Sequence, residues 1–403
     1  MNHRPINLAL VDSLKSRRIR YPILLIFLAL GLFILAREAH RLKANDFIGY
    51  WSASRILMAG GNPYSPADLM ILQREGGLTI QQPHIVYNPP WVLPILIVFG
   101  MFNRQDGQII WILSQIGVVL FCSSQIWQLY AGRIKQRWVA WFVAFTFGPV
   151  ISAVLLQGQI SPFILMGLVG FLMYYDKPGK EWLAGIFAVL ATIKPQVPYL
   201  FFIAFLLWSI FYKKWTVLIS FFSFFALLNI SVLAFDPSIF NQYIQCIQNN
   251  APTAWGTPTI GTYLRLLFNP TGFQMVFLPP LFGLAWLIFY FIKNIREWDW
   301  KREIPIILFI SSITSAYIWT YDLVVLLIPL LMSFIWFLAI KTRWISGVFA
   351  IVYIMIDILY LRLHLILDDL KFIWFAPLIF IWYLVMHALH ERSIITLEVD
   401  EIS

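Results

Sequence analysis

One acidic residue stands at the most unusual place in this sequence. Asp46 follows the first hydrophobic stretch, residues 21–36, and begins a polar, turn-rich segment in a chain that is 60% hydrophobic and only 12% charged. A carboxylate at the boundary of a membrane is energetically costly and commonly has a function there. Asp46 is therefore the first candidate for chemistry. Its structural alternative is an N-cap, because Asp is a favoured residue at the start of a helix.

Other polar side chains lie at or between the ends of later hydrophobic stretches. The cation Lys194 and the neutral hydrogen-bond donor Gln159 lie at such ends, and the cation Arg265 lies in the loop 236–272. Each has a structural alternative: Lys194 can snorkel to the membrane surface, Arg265 can bind lipid phosphate, and Gln159 can hold neighbouring helices together. His84 and His364 supply no metal-ligand spacing, so the sequence predicts no metal site.

Transmembrane helices have to position these residues. The apolar runs approach the roughly 20 residues that a helix needs to cross the hydrocarbon. The sequence therefore predicts an all-α polytopic membrane protein with a single integral membrane domain over residues 1–403. The predicted spans are 21–36, 107–131, 138–156, 159–175, 181–193, 197–212, 215–235, 273–292, 303–319, 320–340, 344–361 and 372–389.

The net charge of +9 is explained by topology rather than by nucleic-acid binding. With these spans, most of the 29 Lys and Arg residues lie in loops that face the cytoplasm, as the positive-inside rule requires. Residues 86–103 are interpreted as a re-entrant or interfacial element, because another crossing would largely remove this bias. The candidate residues and two long loops, 37–105 and 236–272, then face the extracytoplasmic side of the cell membrane.

The first of these loops, 37–105, has the pattern of two juxtamembrane helices. One starts at Asp46 and carries aromatic residues on one side and Ser52 on the other, which is typical of a helix lying in the membrane interface. The second starts with Ser65 as its N-cap and stops before Gly76. Together these helices could cover the mouth of a cavity.

Six short motifs occur along the chain in a recognisable order. They are Asp46 after the first span, Gly61-Asn62-Pro63-Tyr64, Tyr87-Asn88-Pro89-Pro90, Gly158-Gln159, Ile193-Lys194-Pro195-Gln196 and Tyr321-Asp322-Leu323. In this order they resemble glycosyltransferase family 87, which belongs to the GT-C superfamily of membrane enzymes. Each motif alone is weak, and the resemblance rests on their sequence order.

The resemblance implies a GT-C-type bundle of about 12 transmembrane helices. It also implies an inverting hexosyltransferase that moves a sugar, typically mannose, from a polyprenyl-phosphate donor to a hydroxyl of a lipid or glycan acceptor. Membrane lipids are the other expected partners, the lipid-linked sugar is a substrate, and no cofactor, metal or nucleic acid is expected. Asp46 then corresponds to the catalytic aspartate of the first loop.

These roles follow from the chemistry of the implied reaction. A carboxylate such as Asp46 accepts the proton of the attacking hydroxyl as a general base. The leaving phosphate needs cations and hydrogen-bond donors rather than a general acid. The candidates for binding the donor phosphate are Lys194, Arg265, Gln159 and Tyr64. The candidates for binding the acceptor or the sugar are Asp322, Tyr321, Asn88 and Tyr87.

One position departs from the mycobacterial members of the family. Those enzymes carry histidine at the outer start of a late span, where this chain has Tyr321-Asp322, as some other bacterial members do. A carboxylate cannot bind phosphate as a protonated imidazole does. Asp322 is therefore expected to orient hydroxyls of the acceptor or sugar, or to pair with Lys194 or Arg265.

The main alternative function is that of a secondary transporter or a lipid-linked glycan flippase, followed by a glycan ligase or a noncatalytic scaffold. Transporters place charges near the middle of the bilayer and often show repeated halves. This sequence has no internal repeat, and its ionisable residues cluster at one face. The donor sugar, the acceptor, the prenyl length and the oligomeric state do not follow from these residues.

Overall fold

The computed structural model describes residues 45–131, 136–251, 255–270, 272–339 and 343–402, and every regular element in these ranges is helical. The helices before residue 198 are α1 (Asn45–Met58), α2 (Pro66–Glu75), α3 (Leu93–Gly100), α4 (Arg104–Tyr130), α5 (Arg137–Thr146), α6 (Gly148–Ile151), α7 (Ser161–Tyr174) and α8 (Glu181–Ala191). The helices after residue 198 are α9 (Tyr199–Phe211), α10 (Trp215–Phe235), α11 (Ile239–Asn249), α12 (Ile260–Phe268), α13 (Leu278–Asn294), α14 (Trp300–Thr314), α15 (Leu327–Ala339), α16 (Arg343–His364) and α17 (Phe375–Ile402).

Short helical turns extend or connect these helices. A π-helical turn, Ser152–Gln157, continues α6. The turns of 3-10 helix are Pro90–Val92, Phe273–Phe277, Ile295–Glu297, Thr320–Leu326 and Asp369–Phe372.

Six helical segments in the described part are long and apolar enough to cross a membrane. They are Arg104–Tyr130, Trp215–Phe235, Phe273–Glu297, Thr320–Leu338, Gly347–His364 and Asp369–Arg392. A seventh exists if α5 and residues 148–157, which bend by 68° at their junction, form one broken span. The protein is thus an all-helical, multi-pass membrane protein, as the sequence predicts.

Twelve crossings are not confirmed. The first predicted span, 21–36, lies outside the described residues. Helices α7, α8 and α9 are apolar but contain only 14, 11 and 13 residues. At about 1.5 Å per residue, each of them is shorter than the roughly 30 Å of a hydrocarbon core. The helical stretch Pro90–Gly100 is likewise short, and its re-entrant placement stays a prediction.

The two helices predicted in the first loop are present as α1 and α2, and the Ser65 side chain caps α2 by accepting the N–H of Asp68. Ser52, which was expected on the side of α1 opposite its aromatic residues, is instead fully buried, because α1 packs against α2, α3 and α4. Its hydroxyl donates to the Ile48 carbonyl at 2.8 Å, so burial leaves no unsatisfied donor.

Gly158 sets the direction of the residue that follows the π-helical turn. Its φ of 63° lies in the left-handed region, which glycine adopts without a steric penalty. The Gly158 carbonyl accepts the indole N–H of Trp111 at 2.8 Å. The backbone N–H of Gln159 donates to the Ala153 carbonyl at 2.7 Å. This turn fixes the position of Gln159 at the start of the next helix.

Lys194 lies in the non-helical segment between α8 and α9, and three side chains hold that segment. Asn88, Ser311 and Ser315 each donate a hydrogen bond to a carbonyl of residues 193–197, at 3.2, 2.8 and 2.8 Å. Carbonyls at a helix end lack partners within the helix, so these bonds replace the missing ones. The segment therefore presents Lys194 from a fixed backbone.

Helix α8 packs closely against α10 at Gly185. A Cβ atom added to Gly185 would lie 2.2 Å from the Val217 carbonyl oxygen and 2.1 Å from Ser220 Oγ. A backbone oxygen cannot move away as the end of a flexible side chain can. Only glycine therefore fits at this crossing.

We expect Gly185→Ala to lower the free energy of unfolding by about 1–3 kcal/mol, because it overpacks this contact. Gly117→Ala is the matched control, since Gly117 lies in α4 with no atom within 4 Å of the added Cβ. It should stabilise the protein by up to about 1 kcal/mol through helix propensity. Thermal unfolding of both purified variants in one detergent would test this, and equal shifts would contradict the described packing of α8 and α10.

Candidate active site

Four of the residues predicted from sequence meet in one hydrogen-bonded chain. The side-chain N–H of Gln159 donates to Asp46 Oδ2, and its Oε1 accepts a hydrogen bond from Lys194 Nζ at 2.7 Å. Lys194 Nζ also forms an ion pair with Asp322 Oδ1 at 2.8 Å. The order is therefore acid, amide, cation, acid, and this polar network joins residues from four separate segments of the chain.

Two further residues complete the network, and the sequence did not single them out. Tyr50 donates its hydroxyl to Gln159 Oε1 at 3.1 Å, and Ser161 donates its hydroxyl to Asp322 Oδ1. Tyr50 could have been found, because it lies four residues after Asp46 and thus on the same face of α1. Ser161 gave only the weaker signal of following Gln159 at the start of α7.

The surroundings of Asp46 raise its pKa from an ordinary 3.8 to about 6. Burial is the largest cause, because it disfavours the charged form. The charge of Lys194 and the hydrogen bond from Gln159 act in the opposite direction, while the charge of Asp322 adds to the rise. A carboxyl with a pKa near neutrality can take up and release a proton at physiological pH.

Asp46, Gln159 and Lys194 line a cavity of about 770 Å³. This volume is within the range of roughly 300–1,000 Å³ that is usual for small-molecule sites. Asp46 Oδ2 is occupied by Gln159, whereas Oδ1 has no hydrogen-bond partner among the described residues. The Asp46 side chain in the cavity lining thus has one oxygen held by Gln159 and one without a hydrogen-bond partner among these residues.

The other predicted site residues divide into two groups. Tyr87, Asn88 and Tyr321 line the same cavity, whereas Tyr64 and Arg265 do not.

The residues outside the lining have protein partners. The Tyr64 hydroxyl donates to the Asn88 carbonyl at 3.1 Å, and Arg265 Nη2 donates to the Trp255 carbonyl at 2.8 Å. Asp322 is also absent from the lining and 1% exposed, and it realises the predicted pairing with Lys194. Substrate binding by these three residues stays a prediction.

Several lining residues were missed by reasoning from the sequence. His84, Gln196, Trp255 and Trp319 contribute to the cavity. Burial lowers the pKa of His84 below its ordinary value, so this imidazole is more readily neutral. Tryptophans in membrane proteins are enriched at the membrane interface, and no feature of the sequence separates Trp255 and Trp319 from the rest of its 18 Trp residues.

Comparison with known proteins now identifies the family. Residues 86–299, more than half of the chain, match the family model for Glycosyltransferase family 87. The chain belongs to glycosyltransferase family 87. No protein of curated function and no solved structure matches it. The resemblance seen in the motifs is thereby confirmed, and the protein is a membrane glycosyltransferase.

The matched range contains part of the polar network of this family 87 glycosyltransferase. Gln159 and Lys194 lie inside residues 86–299, while Asp46 and Asp322 lie on either side. The two acids join the matched region through the hydrogen bond to Gln159 and the ion pair with Lys194. The site is thus one unit in space although the match covers only its central part.

We expect Lys194→Met to destabilise the glycosyltransferase by roughly 3–5 kcal/mol, because it leaves the buried carboxylate of Asp322 without a counter-charge. Lys194→Met combined with Asp322→Asn should recover part of this loss. Thermal unfolding of both single variants and the double variant gives the coupling energy.

The exposed Lys293 provides the matched control, because Lys293→Met removes a lysine charge without uncovering a buried acid. Strict additivity of the two single variants would contradict the ion pair as described.

Proposed function

We propose that this family 87 enzyme transfers a hexose, most simply mannose, from a polyprenyl-phosphate donor to an acceptor hydroxyl, with inversion and with Asp46 as the general base. The reaction takes place on the extracytoplasmic face of the cell membrane and uses no metal or cofactor. The observation that supports it best is the state of Asp46: its side chain lines the cavity, one oxygen is held by Gln159, and the other has no hydrogen-bond partner among the described residues.

In the proposed step, proton transfer to Asp46 accompanies the exchange of one bond at the anomeric carbon for another. The acceptor O–H gives its proton to Asp46 Oδ1 while its oxygen forms a bond to the anomeric carbon of the donor. The bond between that carbon and the phosphate oxygen breaks, and its electron pair remains on the phosphate. Attack from the face opposite the phosphate inverts the anomeric carbon. The proton then leaves Asp46 to solvent, which regenerates the base.

Lys194 is the cation placed best to stabilise the departing phosphate. Its ammonium has three N–H groups: one goes to Gln159 at 2.7 Å, one to Asp322 at 2.8 Å, and the third makes only a 3.5 Å contact with Ser161. The third N–H is the group that a phosphate oxygen can take over, and such charge-assisted hydrogen bonds are strong. We favour Lys194 over Arg265 because only Lys194 lines the cavity.

Asp46→Asn should lower turnover by roughly 10²–10⁴, because the amide keeps the shape of the carboxyl but cannot accept the proton. The measurement is transfer from a panel of radiolabelled polyprenyl-phosphate sugars to a lipid extract of the host, with purified protein in lipid nanodiscs. Asp68→Asn is the matched control, since Asp68 is exposed in the neighbouring helix α2. Retention of more than about a third of the wild-type turnover would exclude Asp46 as the base.

The pH dependence of transfer should report the same residue. A general base works only when ionised, and the pKa of Asp46 is raised to about 6. We therefore expect kcat/KM to fall about tenfold per pH unit below this value. Lys194→Met should move this acid limb to higher pH, because the lysine charge lowers the pKa of Asp46, whereas Lys194→Arg should leave it in place.

These profiles are measured between about pH 4 and pH 8. An acid limb that stays at the same pH in Lys194→Met and Lys194→Arg would contradict the coupling. The quantity compared between variants is the pH at which kcat/KM begins to fall on the acid side. A general loss of turnover does not change this pH.

A further inference from the structure

Four aromatic rings form a row along the cavity: Tyr87, Trp255, Trp319 and Tyr321. The centroids of successive rings are 4.8, 5.8 and 6.0 Å apart. This aromatic row starts at the polar network, because Lys194 Nζ lies 4.9 Å from the centre of the Tyr321 ring. From there the row continues through Trp319 and Trp255 to Tyr87.

All four rings of the row are partly exposed, and they line the cavity instead of packing into the core. The same cavity is lined by polar residues, including Asp46, Gln196 and Asn250. The ligand that fits must therefore offer an apolar surface to the rings and hydrogen-bonding groups to the rest of the lining.

A pyranose ring has this combination of surfaces. Its C–H groups form an apolar face with slight positive charge, which is attracted to the negative face of an aromatic ring. Its hydroxyl groups point outward around the edge and can bind polar residues. A prenyl chain fits less well, because it would leave the polar residues of the cavity without hydrogen bonds.

We propose that the aromatic row is the acceptor-binding subsite, and that the acceptor is a saccharide whose terminal hexopyranose lies against Trp255 and Trp319. This inference rests on the proposed function, in which the acceptor hydroxyl must reach Asp46. The row begins beside Lys194, so a saccharide lying along it has one end at the base. The remainder of the saccharide extends toward Tyr87.

The test measures the binding of two probes to the full-length protein in lipid nanodiscs, which avoid detergents with sugar headgroups. Methyl α-D-mannopyranoside is titrated by saturation-transfer NMR, with sorbitol as a polyol that has hydroxyl groups but no rigid C–H face. Undecaprenyl phosphate is titrated separately as the lipid probe.

The variants are Trp255→Leu and Trp319→Leu, with Trp255→Phe as a version that keeps an aromatic ring. Trp138→Leu is the matched control, because Trp138 lies in α5 with 64% of its surface exposed. We expect the two Leu variants of the row to weaken pyranoside binding roughly threefold to tenfold, and Trp255→Phe to restore most of it. Trp138→Leu should bind as wild type does, and none of the four should change the affinity for undecaprenyl phosphate.

Three results would overturn the inference: no pyranoside binding to wild type, equal binding by all variants, or loss of undecaprenyl phosphate binding in the row variants. The outcome is separable from that of the proposed function. Asp46→Asn protein should still bind the pyranoside, so ring binding without any wild-type transfer would refute the transfer mechanism alone. Transfer to a lipid alcohol without ring binding would refute the saccharide subsite alone.

Discussion

The side-chain amide of Gln159 is the interaction on which the site depends. It is 2% exposed, its N–H group donates to Asp46, and its oxygen accepts from Lys194 and Tyr50. An amide has one donor side and one acceptor side, so it cannot be reversed without losing these partners. Gln159 therefore holds a carboxylate and an ammonium at a fixed separation. A direct ion pair with Lys194 would instead occupy the Asp46 carboxylate and lower its pKa further.

The two acids at the ends of the polar network consequently have different surroundings. Asp322 accepts hydrogen bonds from Lys194, Ser161 and the backbone N–H of Trp319, and it is 1% exposed. Among the described residues, Asp46 accepts a hydrogen bond from Gln159 alone, and its side chain lines the cavity. A base needs a free lone pair within reach of the substrate. This difference favours Asp46 over Asp322 for the proposed proton transfer, and Asp322 balances the charge of Lys194.

The sequence allowed prediction of the helices and of the network's main members, because both depend on local patterns. Long apolar runs mark helices, and polar residues are rare enough in such a chain to stand out, as Asp46, Gln159 and Lys194 did.

The burial of Ser52 could not be predicted, since it depends on three other helices that surround α1. Likewise, the hydrophobic periodicity of the sequence does not show that the Tyr64 hydroxyl donates its hydrogen bond to the backbone carbonyl of Asn88. The sequence does not distinguish Trp255 and Trp319 from tryptophans that face lipid. Only the tertiary structure shows that these two line the cavity.

The contacts of the polar network also span long distances along the chain. Asp46 and Gln159 are 113 residues apart, and Lys194 and Asp322 are 128 residues apart. Synthesis proceeds at about 5–20 residues per second, so Asp46 emerges on the order of tens of seconds before Asp322. During that interval the nascent chain has Asp46 but lacks the acid that balances Lys194. Chains that terminate before residue 322 therefore cannot assemble the network, which forms only in nearly finished protein.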